Sequence, residues 1–396
     1  MNTAAAIARV DHRANNFDFL RFVAASLVLY SHCFALTGMG GAEPLVRLTM
    51  GEYAFGGLAV RVFFVISGYL VMQSWLRRPR IIVFAGARCL RIFPGLALAL
   101  AYSVAVGAIA TTLSFSEYWS HTQTHEYFWH NLTLQTEFFL PGVFEHNLAP
   151  RAVNGSLWSL YYELRAYVVV LALGVAGLFF RRWIGAVAWI AAASLIVMWP
   201  QAWGIVVADD WPVINVFACF IVAALVALVP QLQRSLGWIA LVSVIAVPLA
   251  FRFGGRDVAI DALLISGTLW FARRRLPGVA AFGRFGDFSY GVFLFAFPTQ
   301  QLIAWLTATH EPYLMLAIAF PATVALAALS WHLVERPCLA LKRHLEMPRL
   351  QAFRAAALPP AFAWLRRKSV RDDAAASAPE ASNRAIDSGI SSPSRG

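Results

Sequence analysis

The sequence predicts an all-α, polytopic membrane protein of about ten transmembrane helices, and three observations point that way. Hydrophobic residues make up 59% of the 396 positions, charged residues only 13%, and the mean hydropathy is +0.62. Apolar runs long enough to cross a hydrocarbon core of about 30 Å recur along the chain. Between them, arginine-rich segments alternate with weakly charged ones, the pattern by which multispanning proteins fix their orientation.

The runs fall at residues 17–36, 57–76, 92–112, 157–180, 183–199, 211–229, 236–251, 258–271, 288–307 and 313–334. Arg9 and Arg13 precede the first run. Arg77, Arg78, Arg80, Arg88 and Arg91 follow the second, Arg181 and Arg182 the fourth, and Arg234 the sixth. Arg273, Arg274 and Arg275 follow the eighth, and Arg336, Lys342 and Arg343 the tenth. Every even-numbered exit is basic, which places both termini in the cytosol; a missed or invented span would reverse the alternation downstream.

The formal charge of +11 and pI near 10 would suggest nucleic acid in a soluble protein. Here the basic residues sit in short loops between apolar runs, so no nucleic-acid partner is expected. Cys33, Cys89, Cys219 and Cys338 are scattered singly and read as free thiols. The arginine-bearing lead, residues 1–16, resembles a signal peptide without a close cleavage site and reads as preceding an uncleaved first span. Residues 17–345 form the membrane domain. Residues 346–396, rich in Ser, Ala and Pro after Arg366, Arg367 and Lys368, read as a largely disordered cytosolic tail.

One outer loop is large, residues 113–156. It sets Tyr118, Trp119, Tyr127, Phe128 and Trp129 among histidines and glutamates. Such rings suit stacking on a sugar, although an interfacial aromatic belt accounts for them without a ligand. His121 and His125 have the i, i+4 spacing of a metal pair, but no motif places a third ligand, so no metal is expected.

Ionisable groups inside spans are costly and mark functional sites. Arg21 and His32 stand eleven residues apart on the first run, close to three helical turns, so they share one face about 16 Å apart. Counting inward from the span ends puts Arg61 and Glu163 at a depth comparable to His32, with Gln300 and Gln301 as further candidates. A neutral imidazole can accept a proton from a hydroxyl nucleophile. Glu163 could orient the ring and stabilise its charged form, and Arg61 could offset charge on an acyl oxygen. The same three residues would equally serve as structural pairs between helices. The arginines of residues 77–91 suit forked binding of phosphate, yet orientation alone explains them. No glycine pattern of a nucleotide hydrolase or dinucleotide enzyme accompanies them.

Together, VRVFFVISGYL (60–70), RCLRIFPGL (88–96), NGSLWSLYYELRAY (154–167), FGDFSYGVFLFAFP (285–298) and VERPCLALKR (334–343) resemble the acyltransferase-3 family of integral-membrane O-acyltransferases over residues 15–345. The resemblance implies an enzyme of the bacterial cytoplasmic membrane. It would move an acyl group, often acetyl, from cytosolic acyl-CoA to a hydroxyl of an extracytoplasmic saccharide or lipid-linked glycan. It also implies His32 as the catalytic residue, Arg88 and Arg91 as contacts of the donor phosphates, and Arg21 as a lining of the donor's passage. Trp158 with Glu163, and Ser289 with Tyr290, match two further family motifs. Ala296 stands where many members carry a histidine, so His32 is expected to act with Glu163 or alone. The competing expectations are a glycan or small-molecule transporter or flippase, for which no repeat is visible, and, last, a structural scaffold. Nothing in the sequence specifies an oligomeric state.

Overall fold

The computed structural model describes residues 16–148, 151–198, 211–274, 276, 278–279 and 281–345. The expected tail, nearly all of the lead, and Arg275 lie outside these residues. The chain divides after Lys342, and only residues 343–345 of its second unit are described.

Every described element is a helix, apart from an isolated bridge between Thr111 and Val143. The helices are α1 (Phe17–Leu36), α2 (Pro44–Leu48), α3 (Phe55–Arg77), α4 (Ile81–Ala110), α5 (Phe115–Ser120), α6 (Thr122–Leu132) and α7 (Trp158–Val175). They continue with α8 (Arg182–Met198), α9 (Trp211–Leu228), α10 (Pro230–Phe253), α11 (Arg256–Ala272), α12 (Ser289–Thr307), α13 (Pro312–Ser330) and α14 (Arg336–Ala340). Each of the ten apolar runs lies on one of them. Six helical stretches are long and apolar enough to cross a membrane: Phe17–Leu36, Phe55–Arg77, Ile81–Ala110, Gly155–Val175, Pro230–Phe253 and Pro312–Leu345. The chain is a multi-pass membrane protein.

Several starts follow from local chemistry. Pro44, Pro230 and Pro312 open α2, α10 and α13, where a missing N–H costs nothing. Ser114 and Glu117 form a reciprocal capping box at α5. The largest departure from expectation is α4. The basic segment up to Arg91 is expected to be a cytosolic loop, but the helix begins at Ile81 and runs 30 residues. Nothing after Pro79 breaks it, because IIVFAGARCLRIF is helix-compatible throughout; hydropathy counting discounted its arginines. Arg88 and Arg91 therefore ride on a rigid helix. At the far end of α13 a π-turn, Trp331–Glu335, precedes Pro337. The proline has no N–H to return to the preceding turn, and the widened turn absorbs that loss.

The middle of the bundle is formed by α1, which packs against α3, α12 and α13, and by α3, which packs on α9, α7 and α11. The approach of α3 to α9 is close because Gly68 lies against the backbone of Phe220, with no room for a Cβ. Small residues let membrane helices gain dispersion contact in this way. α12 is buried along Gly291–Gln301 between α1, α4 and α13.

The long segment between α4 and α7 is folded against the bundle. Tyr118 is fully buried and donates to the Val104 carbonyl at 2.8 Å, and Tyr127 is equally buried. Asn131 braces the turn by donating to the carbonyls of Tyr127 and Glu137. The loop is fastened to α12 through Asn147, which donates to Gln301, and Gln301, which donates to the Ala152 carbonyl. Two of the loop's aromatic rings are thus core residues, whereas Trp119 and Trp129 are exposed.

Candidate active site

His32 lies about four-fifths of the way along α1. Its ring packs edge-on to Phe297 of α12 at 5.0 Å between centroids. Its Nδ1 is buried and bonded to no protein group. Phe297 is held in turn by the segment before α7: a Cβ on Gly155 would come within 2.7 Å of that ring, so only glycine fits there. Asn154 fixes this segment by donating to the Leu294 carbonyl at 2.9 Å while its Oδ1 accepts from the Ser156 N–H. Gln300 pins α12 to α1 by donating to the Leu29 carbonyl at 2.8 Å and to the Cys33 sulfur at 3.0 Å. The level of His32 is set by α1, α12 and the NGS turn together.

Glu163 and Arg61 are elsewhere. The Glu163 carboxylate accepts short hydrogen bonds from Ser67 of α3 and from Tyr167 one turn along α7. Those two hydroxyls are themselves 2.8 Å apart. Arg61 pairs with Asp261 at 2.8 Å and Asp257 at 3.3 Å on α11. No hydrogen bond or ion pair joins His32 to either residue. Ser67 is six residues further along α3 than Arg61, about 9 Å, so Glu163 and Arg61 are not level. Depth counting failed because it assumed that all spans start in one plane, whereas α7 enters through a 3-10 turn at Gly155–Leu157. Trp158, at the head of α7, stacks edge-on to Tyr162 at 5.9 Å.

At the opposite end of α1 a compact charged cluster forms. Asp287, just before α12, accepts from Arg91 at 2.5 Å and lies 3.7 Å from Arg21. Arg21 is also 3.9 Å from Asp18, and Arg91 is 3.9 Å from the buried Glu335 in the π-turn. Ser289 donates to Asp287 at 2.5 Å, and Tyr290 donates to the Ile92 carbonyl at 2.9 Å beneath the Arg91 guanidinium. Arg21, Arg91, Ser289 and Tyr290 are therefore brought together by two carboxylates, Asp287 and Glu335, that sequence reasoning did not single out. The signal was present in the FGDFSYG and VERP stretches.

Arg88 differs from Arg91. Its guanidinium lies over Phe84 at 4.6 Å and beside Tyr167 at 5.9 Å, and it makes no ion pair among the described residues. Through Tyr167 it adjoins the Glu163 and Ser67 group. The spaced histidines of the outer loop are engaged locally, His121 as an N-cap acceptor and His125 on the Trp119 carbonyl.

The chain matches a family model described as an acyltransferase domain, that of the acyltransferase-3 family, over residues 15–332. A protein named O-acetyl transferase from Shigella phage Sf6 is 30% identical over 339 residues, covering 82% of this chain and 96% of that one. Nodulation protein 10 of Rhizobium leguminosarum bv. viciae is 29% identical over 371 residues, covering 86% and 96%. No solved structure matches the chain. With the family model spanning most of the sequence and a relative of such similarity along nearly its whole length, the chain belongs to the acyltransferase-3 family.

Proposed function

We propose that the protein is an O-acyltransferase that takes an acyl group, acetyl being the simplest, from acyl-CoA and delivers it to a hydroxyl of an extracytoplasmic saccharide or lipid-linked glycan. The observation that carries this reading is His32: its buried Nδ1 has no protein hydrogen-bond partner, so the ring is not committed to a structural bond at that atom, which supports a role toward a substrate hydroxyl. The name of the phage relative supports acetyl transfer to oxygen.

In this reading the lone pair of the His32 ring takes the proton of the acceptor hydroxyl as the oxygen attacks the thioester carbonyl. The C–S bond then breaks, and the thiolate leaving group receives the proton from the imidazolium. Phe297 and the NGS turn hold the ring in place. Arg88, free of carboxylate partners, binds donor phosphate, whereas Arg91 and Arg21 are neutralised by Asp287 and mainly fix α1, α4 and α12. Glu163 keeps Tyr167 and Ser67 in place along the route from Arg88 and acts on His32 only at a distance. We place the protein in the bacterial cytoplasmic membrane with ten spans and both termini in the cytosol; the alternation of basic segments and the ten helical runs support this topology.

The test is transfer of labelled acetyl from acetyl-CoA to surface glycan in membranes. The His32→Ala protein is expected to be inactive at normal abundance. Arg88→Gln is expected to raise the KM for the donor about tenfold or more, as for loss of a charge-assisted phosphate contact. Unimpaired glycan modification by His32→Ala would refute the assignment.

A further inference from the structure

A second basic site lies away from the acyl-transfer machinery. Between the start of α10 and the end of α11 is a cleft of about 560 Å³ lined by Gln233, Arg234, Trp238, Trp270, Arg273 and Arg274, among others. The two helices meet closely there because Gly237 faces the Trp270 indole, where a Cβ would lie 2.9 Å from its nitrogen. Arg274 lies over the Trp270 ring at 4.8 Å, and Arg273 donates to the Gln233 carbonyl at 3.4 Å. No carboxylate pairs with Arg234, Arg273 or Arg274 among the described residues, so three guanidiniums converge on one cleft without compensation.

The cleft runs into an exposed apolar surface of α10. Beyond it, α10 exposes Trp238, Leu241, Val242, Val244, Ile245 and Leu249, an apolar strip along a membrane-length helix. Its end of the bundle is also fixed: Asn16, at the head of α1, bonds through its N–H to the Ala272 carbonyl and through its amide to that of Phe271. The cleft is therefore on the same membrane face as Arg21 and Asp287. Orientation by positive charge explains arginines on this face, but it does not explain a formed cleft with tryptophan walls that continues into a lipid-facing strip.

We propose that this cleft binds the phosphodiester headgroup of an anionic phospholipid. In the bound state the arginines contact phosphate oxygens, Trp238 and Trp270 lie at the headgroup level, and the acyl chains follow the exposed strip of α10. Basic pockets between helices on the cytosolic side suit such headgroups; tryptophan favours the same depth. A free, water-soluble phosphate ligand would leave the apolar continuation unused, and the cleft is built by α10 and α11 rather than by the α4 helix that carries Arg88. The inference does not depend on acyl transfer.

Native mass spectrometry of the detergent-purified full chain tests it, with phosphatidylglycerol and phosphatidylcholine as probes. Phosphatidylglycerol is expected to be retained about tenfold better. The Arg234→Gln, Arg273→Gln, Arg274→Gln triple variant is expected to lose that preference, and the corresponding triple lysine variant to keep most of it. Coenzyme A and inorganic phosphate are expected not to displace the lipid. Equal retention of the two lipids overturns the proposal even if the glutamine variant fails to fold. So does preference unchanged in a folded glutamine variant, and displacement by coenzyme A would reassign the cleft to a soluble phosphate ligand.

Discussion

Arg91 and Asp287 meet at 2.5 Å although 196 positions separate them in the chain. The pair ties α4 to the start of α12, and Arg21 reaches the same carboxylate from α1 at 3.7 Å. One carboxylate therefore joins α1, α4 and the start of α12.

Asp287→Asn leaves two guanidiniums facing each other without their common partner. It is expected to destabilise the protein by on the order of 3 kcal/mol, because breaking a buried pair strands its remaining charge. Adding Arg91→Gln to that background should recover part of the loss. A double-mutant cycle on thermal melts in detergent checks this, and strictly additive effects would dissolve the claimed coupling.

Phe297 acts by holding a ring in place. Phe297→Leu keeps an apolar side chain against the NGS turn but removes the edge-to-face partner of His32. Stability is expected to fall by only about 1 kcal/mol. Acyl transfer is expected to fall by about tenfold to a hundredfold, the scale on which a shift of about 1 Å in a reacting group is felt. Parallel melts and transfer assays separate the two effects.

Two glycines in helices should respond in opposite ways. Gly68→Ala drives a methyl into the Phe220 backbone and is expected to cost about 1–3 kcal/mol by separating α3 from α9. At Gly267 in α11 an added Cβ meets nothing within 4 Å, so Gly267→Ala is expected to be neutral or to stabilise by up to about 1 kcal/mol. Comparison of the two melting temperatures decides the matter.

The capping box of the outer loop supplies a pH dependence. Hydrogen bonds from the Ser114 hydroxyl and backbone N–H hold the Glu117 carboxyl below its ordinary value of 4.5. A depressed carboxylate pKa means that the cap is complete above the ordinary glutamate range and is lost as pH falls through the lower, folded value. Amide exchange at the start of α5, referenced to a Glu117→Ala protein that lacks the titrating carboxylate at every pH, should converge with that reference only under strongly acidic conditions.

The sequence made the helices legible because hydropathy is a local signal: each apolar run became a helix, and α1 keeps the boundaries expected for it, Phe17–Leu36. Arg21 and His32 were legible for the same reason, as two polar groups on one otherwise apolar face. The arrangement between helices was not legible. Asp287 and Glu335 looked like single acids at the ends of runs, and only the folded chain shows that both face Arg91. The grouping of His32 with Arg61 and Glu163 failed on axial offset, which hydropathy does not encode: Ser67, not Arg61, is level with Glu163. The partner that does hold His32 is Phe297, one phenylalanine among 30, with nothing in its local pattern to distinguish it.

The late position of Asp287 also bears on biogenesis. At about 5–20 residues per second, roughly 10–40 seconds of synthesis separate Arg91 from its partner. During that interval Arg91 has neither of its carboxylate partners and Arg21 has only Asp18, so water or lipid phosphate must complete their solvation. Arrival of the ninth apolar run then completes the cluster, so a ribosome stalled before residue 287 leaves the earlier helices without the carboxylate that joins α1 to α4.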